Sequence, residues 1–250
     1  MSMDSALLVI SGQLKDGQIQ PELSDPALVS EIDSEKVVII RDVFDTEKLL
    51  DLRRKIHAWG QQQPEAAHGV SANQPGLNFH RIDNGSSASP LPHRSHIYGF
   101  GDLAGLNPDI GVDLHTISKL LIELLNRLAG TSYEIGSDEL KTLVAHFPKG
   151  GGFQDAHRHP YLPQKVSVSL CLSVPGADYI TGSPSVKCNG MWIDLGQEIS
   201  VGDIVLVRND LDHRFVPFDP DAELNWQDDR GFWILANERF DDYARSKLST

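Results

Sequence analysis

The sequence predicts a mainly β protein, a sandwich or barrel of short strands, with flanking helices from the N-terminal half that cover one sheet. Beyond Tyr133, about seven short apolar runs are separated by Gly, Pro, Asp and Asn. Many short strands with turn signals between them are typical of such folds. In residues 166–172, apolar side chains alternate with serine and cysteine, which indicates a strand with two different faces.

The helix signals lie in the N-terminal half. The β-branched run KVVIIRDVF, residues 36–44, predicts a strand that leads into an amphipathic helix, with Asp45 as its N-cap. Apolar residues three and four apart between Leu114 and Leu128 predict a second helix, which ends at Gly130. Residues before about 30 are expected to form a short preceding element or arm.

Between the two predicted helices, residues 61–107 are rich in Gln, Gly, Ser, Asn and Pro and have no clear periodicity. Such a stretch predicts a functional loop or a mobile lid. No linker separates the halves of the chain, so residues 1–250 are predicted to form one domain. Its parts are an arm (1–30), a helical and loop part (31–130) and a β core (131–240).

Composition excludes several classes of function. The net charge of −13, from 22 basic and 35 acidic residues, disfavours nucleic acid or an anionic membrane as a partner. No apolar run approaches the roughly 18 residues that a membrane span needs. The only two cysteines, Cys171 and Cys188, argue against a disulfide framework and for a reducing, cytoplasmic setting. Nothing in the sequence indicates the oligomeric state.

The most informative stretch is GGGFQDAHRHPY, residues 150–161. On a strand, His157 and His159 would project from the same face, because side chains alternate. His213 follows the apolar run IVLV, 56 residues (213 − 157) beyond His157. Two imidazoles met by a third form a site for a first-row transition metal. The alternative is a solvated loop with two surface histidines and a buried His213 bonded to backbone.

The order of these motifs resembles the Fe(II)/2-oxoglutarate-dependent oxygenases over about residues 31–240. The resemblance implies a double-stranded β-helix, or jelly roll, that binds Fe(II), uses 2-oxoglutarate as co-substrate, and oxidises a C–H bond of a small molecule with O2. The phrases that carry it are EKVVIIRDVFDTEKLLDLRRKI, HFPKGGGFQDAHRHPY, KVSVSLCLSV, ISVGDIVLV, LDHRFVP and DDRGFWILANERF.

The resemblance also implies residues that bind the co-substrate. Arg230, 17 residues (230 − 213) beyond His213, matches the basic residue that pairs with the far carboxylate of 2-oxoglutarate, which a guanidinium binds through two hydrogen bonds. The alternative is a surface arginine that balances Asp228 and Asp229. The hydroxyl of Ser169 is a second candidate, if its face of the strand points into the cavity and not to solvent.

The sequence departs from the family pattern at His159, where the family has a carboxylate ligand. Either His159 replaces the carboxylate in a three-histidine site, or Asp155, two residues before His157, supplies an oxygen ligand. In a third alternative, no side chain occupies this ligand position, and water or a halide ion binds the metal there. Family members that halogenate their substrates have a small residue there, so a histidine counts against halogenation.

The predicted loop contains a dense polar set that includes Arg81, Arg94, His96 and Tyr98. N-terminal insertions in this family cover the active site, so the resemblance implies that these residues bind substrate. The two arginines predict a small polar, anionic substrate such as an amino acid. The alternative is that these residues are ordinary polar side chains of a hydrophilic loop. Two further functions stay open: a three-histidine iron dioxygenase that needs no 2-oxoglutarate, and a non-catalytic jelly-roll binding protein.

Overall fold

A computed structural model describes residues 6–63, 77–83, 91–100, 106–135 and 140–239. Within these residues the chain forms three helices of at least nine residues and thirteen strands. The helices are α1 (Asp25–Asp33), α2 (Thr46–Gln61) and α3 (Pro108–Ala129). The strands are β1 (Leu7–Lys15), β2 (Gln18–Pro21), β3 (Val37–Arg41), β4 (Leu77–Asp83), β5 (His93–Phe100), β6 (Leu140–Pro148), β7 (Gly152–His157), β8 (Val166–Cys171), β9 (Ser183–Cys188), β10 (Met191–Asp194), β11 (Ile204–Arg208), β12 (His213–Phe218) and β13 (Gly231–Arg239).

Strands β6 to β13 form a jelly roll. Four of them make one antiparallel sheet in the order β6-β13-β8-β11, and the other four make a second in the order β7-β12-β9-β10. The chain passes repeatedly between the two sheets, as in double-stranded β-helices. Strand β5 pairs with both β6 and β7 and so joins the sheets at one side. The predicted mainly β fold with a jelly-roll core is confirmed.

The first sheet has one hydrophobic core on each of its two sides. Val168 and Leu170 of β8 pack with α3 residues such as Leu121 in the core between helices and sheet. Cys171 of β8 and Val205 of β11 belong to the second core, inside the barrel. The alternation of residues 166–172 therefore separates a helix-facing side from a barrel-facing side, and helices of the N-terminal half cover the first sheet as predicted.

The predicted helix ends are also confirmed. The Asp45 carboxylate accepts hydrogen bonds from the backbone N–H groups of Glu47 (3.0 Å) and Lys48 (3.3 Å) and so caps α2. Helix α3 ends at Gly130, whose φ of 71° lies in the left-handed region that glycine adopts without strain. Both ends were recognisable because capping depends on local residue type.

The prediction of a loop over residues 61–107 is wrong for its described part. Strands β4 and β5 form an antiparallel hairpin, with Phe79 opposite Tyr98 and both side chains buried. Histidines, serine and arginines occupy many strand positions, so the two-residue period was hidden by polar side chains. The rest of the predicted loop (64–76, 84–90 and 101–105) lies outside the described residues.

The segment before residue 30 joins the first sheet. Strand β1 pairs in parallel with β3, and β3 pairs with β11, so the sheet continues beyond the jelly roll. Strand β2 folds back on β1, and α1 follows it. Within the described part of the chain, no helix has both the length and the apolar character that crossing a membrane requires.

Candidate metal centre

Three histidines meet at one end of the barrel. His157 is the last residue of β7 and lies directly opposite His213, the first residue of β12. His159 follows two residues after β7, where its backbone N–H donates to the Asn209 carbonyl at 3.3 Å. The ring centroids are 4.2 Å apart for His157 and His213, 5.1 Å for His159 and His213, and 5.3 Å for His157 and His159.

Backbone carbonyls fix the orientation of two of these rings. The Nδ1 atom of His157 lies 3.0 Å from the Asp155 carbonyl oxygen, and Nδ1 of His213 lies 3.1 Å from that of Leu211. Because a carbonyl oxygen only accepts, each Nδ1 carries the proton and donates it. The lone pair is then on Nε2, the form in which a histidine binds a metal.

Burial keeps the two rings neutral. Burial, together with the neighbouring rings of His213 and His159, lowers the pKa of His157 to about 2. Burial also lowers the pKa of His213 to about 4, again with a contribution from His159. Desolvation disfavours the charged form of an imidazole. At neutral pH both rings therefore stay in the uncharged state that a metal requires.

The donor set fits a single transition metal ion. One ligand atom from each of His157, His159 and His213 lies within 4.8 Å of the others, and all three residues are half-buried. Asp155 is exposed, and among the described residues it is not part of this group. Its backbone N–H donates to the Pro92 carbonyl instead, at 3.0 Å. Three imidazoles suit iron and other first-row metals.

Comparison with known proteins identifies the fold. No protein-family model and no curated protein matches the chain. Solved structures do match it, and several are 2-oxoglutarate and Fe(II) oxygenases. The chain has the fold of that superfamily. The similarity extends over most of the chain but at 11–14% sequence identity.

Three of the matching structures illustrate the similarity. A prolyl-4-hydroxylase from Pseudomonas putida is 13% identical, with a TM-score of 0.53 over 86% of this chain and 97% of its own. A prolyl hydroxylase from Trichoplax adhaerens, in complex with a hypoxia inducible factor peptide, is 14% identical, with a TM-score of 0.54 over 90% and 92%. A full-length protein from Neurospora crassa, in complex with alpha-KG and thymine, is 11% identical, with a TM-score of 0.56 over 86% and 79%.

Arg230 lies away from the three histidines. It precedes Gly231, which pairs with Pro148 beside the turn into β7, whereas His157 ends β7. The two ends of that strand are about 17 Å apart, at about 3.4 Å per residue. The Arg230 side chain is 53% exposed, and its Nε donates to the Asp228 carboxylate at 2.8 Å. Its contacts are those of a surface ion pair.

Ser169 faces the barrel interior, as one of the two sequence-based alternatives expects. It pairs with Val205, which belongs to the barrel core, and it is buried. Its hydroxyl lies 3.5 Å from the Val205 carbonyl. The same core contains an aromatic group in which Phe218 stacks on Phe232 at 5.2 Å. Phe232 is the second residue of β13, where the barrel-facing side chains of that strand begin.

The four residues predicted to bind substrate lie on the helix-facing side of β4 and β5. Arg81 lies over the Trp226 ring at 5.3 Å, and Nε of Arg94 donates to the Asp83 carboxylate at 2.7 Å. His96 and Tyr98 are buried, and the rings of both contact aromatic neighbours there: His57, His146 and Trp226 for His96, and Trp59 and Trp233 for Tyr98. The structure therefore brings none of them to the three histidines.

A fourth histidine near the centre was missed as a site residue. His93, the first residue of β5, is buried and lies opposite Gln154 of β7. Its Nδ1–H donates to the Leu91 carbonyl at 2.7 Å. It also lies close enough to contribute to the lowered pKa of His157. The two-residue spacing of His93, Ser95 and Ile97 was the signal that places it on the barrel-facing side.

Proposed function

We propose that this chain is a non-haem iron oxygenase that uses 2-oxoglutarate and O2 to oxidise a C–H bond of a small polar substrate. The observation that carries the proposal is the convergence of His157, His159 and His213 at one end of a jelly-roll barrel. These three side chains would hold Fe(II), with His159 in place of the family's carboxylate. The fold similarity supports the same class of chemistry.

Each part of the site has a defined task in this proposal. Fe(II), when bound, supplies the redox chemistry that activates O2. The carbonyls of Asp155 and Leu211 hold His157 and His213 in the metal-binding tautomer. The Ser169 hydroxyl, which is buried, would donate a hydrogen bond to the co-substrate carboxylate. The barrel walls exclude water from the reacting groups.

One observation favours a second candidate function, a three-histidine iron dioxygenase that needs no 2-oxoglutarate. Phe232 faces the barrel near the start of β13, in an aromatic core with Phe218, while Arg230 pairs with Asp228 outside it. The far carboxylate of 2-oxoglutarate, if buried in the barrel, needs a cation or several hydrogen bonds to offset its desolvation, and Arg230 does not supply that cation inside the barrel. In this second function the substrate itself would bind beside the iron.

Anaerobic titration separates these functions. We expect one Fe(II) per chain, and a weak visible charge-transfer band when 2-oxoglutarate is added. Ser169→Ala should weaken the band, whereas Arg230→Ala, the matched control outside the barrel, should leave it unchanged. One iron per chain without any band would establish the second function instead. Absence of stoichiometric iron after careful reconstitution would overturn both and favour a non-catalytic binding protein.

A further inference from the structure

Strands β4 and β5 present a polar strip to the barrel interior. His80 of β4 lies opposite Ile97 of β5, which in turn lies opposite Ala145 of β6. Ala145 belongs to the barrel core, and Ile97 packs against that core. Residues that are directly opposite in a sheet share a face, and so do residues two apart on one strand. Ser95 and His93 therefore project to the same side as His80.

Two buried polar atoms on this strip have no hydrogen-bond partner among the described residues. Ser95 is 0% exposed and its Oγ is unpaired, and His80 is 8% exposed with an unpaired Nε2. A buried polar group without a partner has a desolvation penalty that no hydrogen bond offsets. Such a group is satisfied when an ordered water or a bound ligand supplies the missing hydrogen bond.

The strip begins beside the candidate metal centre and carries no charge. His93 lies opposite Gln154 on β7, the strand that ends at His157. The described side chains of this face include no Lys, Arg, Asp or Glu, because Arg81 and Arg94 belong to the opposite face of the hairpin. The strip itself therefore has no cationic side chain to offset the desolvation of a carboxylate buried against it.

The donor and acceptor pattern narrows the ligand further. Burial lowers the pKa of His80, so its imidazole is neutral at pH 7.5 and has one acceptor nitrogen. The Ser95 hydroxyl both donates and accepts. We propose that the β4–β5 strip, defined as His80, His93 and Ser95, binds an uncharged substrate through an N–H or O–H donor on that substrate. This inference rests on the proposed oxygenase function and names the class of its substrate.

The test compares two small probes of the same size, butanamide and butanoate, on the full chain loaded anaerobically with Fe(II). Paramagnetic broadening of the probe's proton NMR signals reports binding near the iron. We expect butanamide to bind at least tenfold more tightly than butanoate at pH 7.5. Ser95→Ala and His80→Phe should each weaken butanamide binding at least fivefold, while one iron per chain is retained.

Two matched variants control for folding and for the arginines. Ser118 is likewise fully buried with an unpaired hydroxyl, but it lies on α3, so Ser118→Ala should leave butanamide binding unchanged. Arg81→Ala should also leave it unchanged. Tighter binding of butanoate than of butanamide would overturn the inference, and so would loss of butanamide binding in Arg81→Ala or Arg94→Ala. Wild-type butanamide binding in Ser95→Ala and His80→Phe, or no binding of either probe, would overturn it as well.

The same probes distinguish failure of the strip from failure of the oxygenase proposal. Butanamide binding to the metal-free chain is read from the protein's own NMR shifts. If iron does not bind but butanamide does, with losses in Ser95→Ala and His80→Phe, the strip stands and the oxygenase function fails. If iron binds and the strip variants have no effect, the oxygenase proposal stands and the strip is excluded as the substrate site.

Discussion

His157 and His213 lie directly opposite each other on β7 and β12, with ring centroids 4.2 Å apart. Fifty-five residues separate them in the chain (212 − 157), and the jelly-roll topology brings them together. The ladder shifts register between His213 and Phe215, so the regular pairing of the two strands is interrupted beside the site. Carbonyls two residues before each ring hold the tautomer. The site is therefore largely formed before any metal binds.

Replacing either of these histidines should remove the metal. We predict that His157→Ala and His213→Ala each weaken Fe(II) binding about a hundredfold or more, because even loss of a group that only supports a ligand costs 10- to 100-fold. Anaerobic Fe(II) titration with metal analysis measures the effect. His115→Ala, an exposed histidine on α3, is the control. Wild-type affinity in both site variants would exclude this site.

His159→Asp should keep the metal. Aspartate at this position would supply the carboxylate expected from the resemblance to Fe(II)/2-oxoglutarate oxygenases, and carboxylate oxygens bind ferrous iron together with two imidazoles. We predict Fe(II) affinity within about tenfold of the wild type, with oxygenase activity kept or improved. His159→Ala should lose both. If His159→Asp holds iron but consumes no O2, the imidazole itself is required for the reaction.

The fold could be predicted largely from local patterns, and the grouping of the three histidines from one spacing. Helix caps, apolar periodicity and the alternation in β8 each depend on residues close in sequence. His157 and His159 attract attention because they are two residues apart. The third histidine follows from its position after an apolar strand.

The surroundings of the centre depend on tertiary context that the sequence does not display. Arg230 precedes Gly231, the first residue of β13, which has a φ of 132°. The Arg230 guanidinium donates to the carboxylate of Asp228, two residues away. On β4 and β5, adjacent polar residues such as His80 and Arg81 belong to opposite faces. From composition alone, both residues are predicted to lie in a loop. Only the pairing of the strands shows that their side chains belong to opposite faces.

The buried Arg53–Asp178 ion pair, which links α2 to the segment after β8, should contribute to the stability of the fold. The Arg53 guanidinium donates to both carboxylate oxygens, at 2.6 and 3.0 Å, and to the Leu172 carbonyl, and both side chains are buried. Arg53→Met leaves a buried carboxylate without its cation. We predict a loss of about 3–5 kcal/mol in the free energy of unfolding, measured by urea denaturation.

The neighbouring arginine provides the control for that prediction. Arg54 is exposed and its contact with Asp51 is 3.4 Å long, so Arg54→Met should cost no more than about 1 kcal/mol. Adding Asp178→Leu to Arg53→Met should recover part of the loss, because it removes the unpaired charge. If Arg53→Met and Arg54→Met lower the free energy of unfolding by the same amount, the burial of the Arg53–Asp178 pair has no effect on stability.

Acid should destabilise the protein through the buried histidines between α2 and the first sheet. Burial, together with the nearby His57 and Arg81, lowers the pKa of His96 from 6.5 to about 3. In the unfolded chain His96 takes up a proton near pH 6.5, whereas in the folded chain it does not. Its contribution to stability is therefore complete above pH 6.5 and is lost progressively as the pH falls towards 3.

The size of this effect makes it measurable. From pH 7.5 to 5.0, His96 alone should lower the free energy of unfolding by about 2 kcal/mol, at 1.36 kcal/mol per pH unit below 6.5. His96→Phe keeps an aromatic ring beside Phe79 and Trp226 but has no proton to gain, so its urea-derived stability should fall less steeply over the same range. Burial also lowers the pKa values of His57 and His146, so the slope should decrease without vanishing. His115→Phe, at an exposed position, should keep the wild-type slope, and an unchanged slope in His96→Phe would contradict the prediction.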